Sequence, residues 1–143
     1  MSFVEHFRST FNVTASGAGA TQTFNTSYVA NGLLESIVIT KATASALSTA
    51  ANVLITGAIS GVTYLNVTTT GAAGSVVGYY PRTEARSNVL GLYSPATGAG
   101  AVLGFPVQYP IAEAIRIHTT SGATAAGASG GGAQFTVDFY ISR

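Results

Sequence analysis

The residues of this chain that could perform chemistry are few and widely spaced. Among 143 residues there are six Lys or Arg, five Asp or Glu, two His and no Cys. Gly127-Ala128-Ser129-Gly130-Gly131 matches the G-x-S-x-G pattern, in which a sharp turn from a strand into a helix exposes a nucleophilic serine. Here the match lies in a glycine-rich loop that leads into a strand, so it predicts a flexible linker.

The titratable residues form no catalytic or metal-binding pattern. His6, His118 and Asp138 are residue types of a hydrolytic triad, but both His residues fall on the polar face of predicted strands, where an exposed His is ordinary. Nothing local supports Glu35 and Glu113 as an acid–base pair, and no His or carboxylate group has metal-ligand spacing. We therefore expect no enzyme activity, no catalytic or metal site, no cofactor and no small-molecule substrate.

Charge is scarce throughout the chain. Charged residues make up 8% of it, against about 25% in an ordinary domain. The formal net charge is +1 and the mean hydropathy is +0.39, which favours association with copies of the chain or with a partner. Because the basic residues are scattered, with one small group at Arg82 and Arg86, we expect no nucleic-acid partner.

The hydropathy pattern predicts neither a membrane helix nor a secretory signal. The longest purely apolar stretches are a few residues, whereas a membrane helix needs about 20. The first residues have no basic segment followed by an apolar run. We therefore expect no membrane partner.

Alternation of apolar and polar residues recurs along the chain and predicts strands. The clearest run is near the C-terminus, where Phe135, Val137 and Phe139 alternate with polar residues. Further strands are predicted within residues 3–14, 33–40, 52–56, 62–69 and 114–120, and weaker ones within 23–29, 76–80 and 88–93. Residues 42–51 favour a loop over a helix because of their Ser and Thr content.

Turn residues separate these runs, among them Asn31-Gly32 and Ser60-Gly61, and residues 121–132 form a low-complexity loop. Eight or nine short strands with frequent turns predict an all-β fold, a two-sheet antiparallel β-sandwich that is jelly-roll-like. We predict a single domain over 1–143, with residues 1–14 an N-terminal strand or arm used in assembly. The predicted core residues are Phe11, Leu33, Ile37, Ile39, Leu54, Leu65, Val67, Ile115, Ile117, Phe135, Val137 and Phe139.

Two regions are candidates for protein–protein contact, because Arg and aromatic residues are favoured in interfaces. One is the N-terminal strand, and the other is the charged segment 82–86 with its aromatic flanks. A solvated loop or a protected edge strand explains the charged segment equally well. The candidate contact residues are Phe3, Phe7, Tyr80, Arg82, Glu84, Arg86, Tyr93 and Tyr109.

The chain resembles the small all-β virion proteins of tailed bacteriophages that decorate or cement capsids, many of which are jelly-roll-like. The similarity lies in the segment 31–39, in the charge-poor Thr/Gly/Ala-rich middle, and in the ending at 115–119 and 135–140. It carries no diagnostic motif and implies no catalytic residues. It implies a location in the virion, after assembly in the host cytoplasm.

Two functions remain from the sequence. The first is a non-enzymatic virion structural protein that contacts itself, as a homo-oligomer, and a major capsid protein. The alternative is a carbohydrate- or protein-binding β-sandwich module, such as a tail or fibre component. Both use the same fold, and the low charge and the resemblance favour the first.

Overall fold

The computed structural model describes residues 3–14, 19–44, 47, 50–69, 71–84, 86–87, 91–92, 106–120 and 133–143. These residues form strands, turns and bends and include no helix, so the predicted all-β class is confirmed. The strands are β1 (Val4–Val13), β2 (Thr21–Lys41), β3 (Asn52–Gly57), β4 (Thr63–Thr68), β5 (Val76–Tyr79), β6 (Thr83–Glu84), β7 (Arg86–Ser87), β8 (Gly91–Leu92), β9 (Pro106–Val107), β10 (Tyr109–Thr120) and β11 (Ala133–Ser142).

Seven strands make one antiparallel sheet. Their order is β1-β11-β2-β10-β3-β4, and β5 pairs with the second half of β2. Two further pairs, β6 with β9 and β7 with β8, are only two residues long in each strand. The hydrogen bonding therefore gives one large sheet and two short strand pairs, and the predicted sandwich of two packed sheets stays a prediction.

The long strand β2 joins two halves of this sheet. Its first part, from Thr21 to Leu34, pairs with β10, and its last part, from Leu33 to Lys41, pairs with β11. The sequence predicts a turn at Asn31-Gly32, but the strand continues through it. Gly32 has a φ of 142°, a conformation that only glycine adopts readily, so it bends the strand without ending it.

β2 bends strongly enough to bring its first half over β1 and β11. Phe24 and Lys41 would lie about 56 Å apart along a straight strand. Phe135 pairs with Lys41, yet the ring centroids of Phe24 and Phe135 are 6.4 Å apart. Phe11 of β1 also packs on Phe24, with 4.9 Å between ring centroids. The apolar side chains of the two halves therefore face each other and form a common core.

Most of the predicted core is buried. The corrections concern Leu33, which is 43% exposed while Leu34 is fully buried, and Leu54, which is half-buried while its neighbours Val53 and Ile55 are fully buried. In each case the residues next to the predicted one face the core, because side chains alternate between the two faces of a strand. The remaining predicted residues are buried or, for Leu65 and Val67, half-buried against the core: Phe11, Ile37, Ile39, Ile115, Ile117, Phe135, Val137 and Phe139.

Candidate functional site

Three of the predicted contact residues are exposed on the sheet and the segment after it. The exposed fractions of Phe3 and Tyr80 are 62% and 74%, and Arg82 is also exposed. The backbone of Phe3 is fixed, because its amide and carbonyl pair with Arg143 at 3.3 and 2.9 Å. The exposed Phe3 side chain is thus held at the end of β1.

Two other predicted contact residues pack inward. Phe7 stacks on Tyr28, with ring centroids 4.7 Å apart, and Tyr109 meets Tyr64 edge-on at 5.3 Å. Both side chains are half-buried, so they pack against neighbouring residues and leave less of their surface accessible to a partner. Of the rest, Glu84 lies in β6 and Arg86 in β7, whereas Tyr93 lies outside the described residues.

The strand register brings the two predicted contact regions to one end of the sheet. Val4 pairs with Ser142, Ser142 with Leu33, and Leu33 with Pro110, which places these residues in one row across four strands. Residues paired in this way project from the same face, and Val4 and Leu33 are about 10 Å apart. Val4, Leu33 and Pro110 are exposed, and with the exposed Val107 we call them the apolar strip.

A groove continues the apolar strip toward the charged segment. It has an empty volume of about 720 Å³ and is lined by Leu33, Arg82, Val107 and Gln108. The register of β2 against β11 shifts beside Glu35, and the guanidinium of Arg82 donates a hydrogen bond to the Glu35 carbonyl at 3.0 Å. This bond fixes Arg82 beside the apolar residues of the groove.

The outer face of β1 and β11 carries a buried carboxylate that contacts a histidine and an arginine. The side chain of Asp138 is 5% exposed, and its oxygens contact His6 Nε2 at 2.7 Å and Arg8 Nε at 2.7 Å. The His6 ring also stacks on Tyr140 at 4.8 Å. Burial raises the pKa of Asp138, but the hydrogen bonds from Arg8 and His6 outweigh it and hold the pKa below its ordinary value.

The structure joins only two members of the triad that the sequence analysis considered. His6 contacts Asp138, whereas His118 lies on β10 and bonds the hydroxyl of Thr23 at 2.8 Å. Within the described region, no serine or threonine hydroxyl forms a hydrogen bond with His6. Within that region there is also no group of three His, Asp or Glu that could hold a metal ion. The His6–Asp138–Arg8 group therefore acts as a link between strands.

Glu113 holds the turn between β3 and β4. Its carboxylate accepts hydrogen bonds from the amide of Ser60 at 2.9 Å, from the amide of Ile59 and from the Ser60 hydroxyl. The hydrogen bond from the Ser60 hydroxyl lowers the pKa of Glu113 most, and the bonds from the two amides lower it further. The described partners of Glu113 do not include Glu35, so the two carboxylates do not form the acid–base pair that was considered.

A lysine lies on the inner face of the sheet. Lys41 is 3% exposed, and its ammonium donates a hydrogen bond to the carbonyl of Gly71 at 2.9 Å. Burial lowers the pKa of Lys41. It lines a small recess, with room for about one water-sized species, together with Ile39, Thr69, Ser75, Val77 and Tyr79.

Sequence reasoning missed Asp138 and Lys41 as special positions for different reasons. Asp138 becomes buried only because the register places Arg8 opposite it, and register was not readable from either strand alone. Lys41, in contrast, continues the inward series Ile37 and Ile39, so the alternation already indicated a lysine that points to the core.

Comparison with protein-family models, curated proteins and solved structures finds no match to this chain. No helix within the described ranges is long and apolar enough to cross a membrane. The functional interpretation therefore rests on the residues themselves.

Proposed function

We propose that this protein is a non-enzymatic structural protein of a virion, which decorates or cements a phage capsid through repeated protein–protein contacts. The observation that carries the proposal is the apolar strip, with the groove beside it. A shell presents the same surface many times, so copies that also contact one another attach more stably than one small apolar contact alone would allow. The expected partners are other copies of the chain and a major capsid protein.

The charge distribution supports this proposal. A surface with few charges loses little hydration when a partner covers it, and interface cores are depleted of charged residues. Arg82, fixed beside the groove, supplies one directional polar contact within an otherwise apolar patch. Such a charge contributes to the specificity and register of a contact more than to its affinity.

We also propose that the bent sheet works as the two layers of a jelly-roll-like sandwich. The packing of Phe11 and Phe135 against Phe24 supports this arrangement, because it joins side chains from both halves of the sheet. Two layers with a common core resist deformation better than an open sheet. A rigid body suits a protein that must match a fixed spacing on a shell.

The deciding experiment counts the copies of the protein in purified particles and locates them by electron microscopy. A number of copies comparable with that of capsid subunits, and a position on the shell, is the expected result. Absence from the particles, or a few copies confined to the tail tip, would contradict the capsid assignment.

A matched pair of variants tests whether the apolar strip makes the contact. Val4 and Val76 both lie on edge strands and are 60% and 63% exposed, but only Val4 belongs to the strip. We expect Val4→Glu to lower incorporation into particles at least tenfold, which corresponds to about 1.4 kcal/mol. Val76→Glu should be incorporated normally. Equal incorporation of both variants would show that the contact lies elsewhere.

The alternative is a carbohydrate- or protein-binding module, such as a tail or fibre component. It is favoured by the groove and by the exposed Tyr80, two residues before Arg82, since aromatic and Arg side chains are common in binding sites. This function predicts few copies at the tail and a Tyr80→Ala variant that enters particles normally but no longer binds the host surface.

A further inference from the structure

The recess at the end of β2 contains a buried positive charge without a matching negative one. Lys41 is 3% exposed, and no salt bridge in the described part of the chain includes it. Its ammonium has three N–H groups, and among the described residues the Gly71 carbonyl accepts from it at 2.9 Å. A buried charge is costly unless it is paired, so this site lacks a counter-charge.

The same recess contains a second donor without a partner. The Oγ atom of Ser75 is buried and has no hydrogen-bond partner among the residues that the structure describes. The amide of Lys41 donates to the Ser75 carbonyl at 3.0 Å, so the two residues are neighbours across strands. A Cβ atom on Gly71 would lie 2.9 Å from Ser75 Oγ, which places the hydroxyl close to the residue that the ammonium contacts.

We propose that the recess between Lys41 and Ser75 binds one small monovalent anion, of the size and charge of chloride. The ammonium has N–H groups without an acceptor among the described residues, and the hydroxyl of Ser75 is a further donor, so the site fits an acceptor that carries negative charge. One ammonium balances one negative charge, whereas a divalent oxyanion would leave excess negative charge beside the apolar side chains of Ile39 and Val77.

Binding at this position would fasten the turn after β4 to the core. Gly71 and Gly74 both have a positive φ, and the amide of Gly74 donates to the Ala42 carbonyl at 3.1 Å. An anion that bridges Lys41 and Ser75 would add a further connection between this turn and β2. The site is independent of the proposed role in a virion, because none of its residues belongs to the apolar strip.

The first experiment measures thermal unfolding of the purified full chain at constant ionic strength, while sodium chloride replaces sodium gluconate. We expect the unfolding midpoint to rise with the logarithm of the chloride concentration, by about 5 °C when chloride is at ten times its dissociation constant. Ser75→Ala should lose most of this rise. Arg116→Gln is the matched control, because it removes an exposed cation on β10 that bonds Asn25 and the Ala58 carbonyl, and it should keep the full rise.

The second experiment locates the anion directly. Crystals of the protein grown in sodium bromide should show one anomalous peak between Lys41 Nζ and Ser75 Oγ, and crystals of Ser75→Ala should show a weaker one. Lys41→Met should show none; if that variant does not fold, the Ser75→Ala comparison decides. A midpoint that rises equally in the wild type and in Ser75→Ala, or a wild-type crystal without the peak, would overturn the proposal.

Discussion

At the scale of single residues, the few charges of this chain hold the edge strand β1 in place. The ion pairs that the structure describes are Arg8–Asp138 and Glu5–Arg143, and His6 also contacts Asp138. Each of these contacts joins β1 to β11 or to the residue that follows it. Asp138 takes part in two of them and is the buried member. A carboxylate with two partners outside the core therefore secures a strand that has only one neighbour in the sheet.

We expect Asp138→Asn to destabilise the protein at neutral pH by about 1–3 kcal/mol, because a buried polar group loses charged hydrogen-bond partners. The pKa of Asp138 is held below its ordinary value of 3.8 in the folded chain. Its contribution is therefore complete above that value and is lost as the pH falls through the lower folded pKa. Urea unfolding of the wild type and of Asp138→Asn should show a difference in the free energy of unfolding at pH 7, and this difference should shrink below about pH 4.

The control for this prediction is Glu5→Gln on the same strand. Glu5 pairs with Arg143 at 3.0 Å, but both side chains are more exposed than Asp138. Exposed pairs contribute little, so the free energy of unfolding should change far less than in Asp138→Asn. A difference between Asp138→Asn and wild type that persists unchanged at pH 2.5 would show that packing, and not charge, explains it.

At the scale of elements, Gly32 decides that β2 is one strand and not two. Its φ is 142°, and a Cβ atom there would overlap the backbone oxygen of Ser142 and lie 2.7 Å from Ile141 Cγ2. Glycine thus allows both the bend of β2 and the close approach of β11. Both requirements apply at one position.

We expect Gly32→Ala to lower the free energy of unfolding by about 2–5 kcal/mol, the sum of backbone strain and overpacking. Gly61→Ala is the control for strain alone, since Gly61 has a φ of 69° and open space around it, and it should cost about 1 kcal/mol. Chemical denaturation measures both. Equal losses would mean that the contact with β11 is not important.

The sequence predicted the strands well and their faces less well where apolar residues follow one another. Alternation is unambiguous around Phe135 and Val137, and both are fully buried. In the pair Leu33-Leu34 either residue could face the core, and the choice depends on the register with β11, a long-range property. The apolar strip was unpredictable for the same reason, because it forms only when four strands are in register.

The pair Leu33 and Leu34 offers a matched test of this register. Leu34 is fully buried and Leu33 is 43% exposed. We expect Leu34→Ala to cost about 2–5 kcal/mol of unfolding free energy, as buried leucines do, and Leu33→Ala to cost about 0.5 kcal/mol. Denaturant titrations of the two variants measure this difference. The reverse order would place the other face of β2 toward the core.

At the scale of the whole molecule, β2 is the strand that joins the two halves of the seven-stranded sheet. It pairs with β10, β11 and β5, so neither half of the sheet is complete without it. The core is also shared, because the side chain of Phe24 in the first half packs against Phe11 and Phe135 in the second. Local opening of one half therefore removes support from the other.

This arrangement predicts that the described strands unfold as a single cooperative unit. Hydrogen exchange should show the highest protection in β2, β10 and β11, near residues such as Ile37 and Ile117, with similar opening free energies in both halves. The edge strands β1, β4 and β5 should exchange faster, because each has a neighbour on one side only. Circular dichroism and tyrosine fluorescence should then give coincident denaturation curves. Two separate transitions, with β3 and β4 released before β1 and β11, would show instead that the bend in β2 divides the molecule into independent halves.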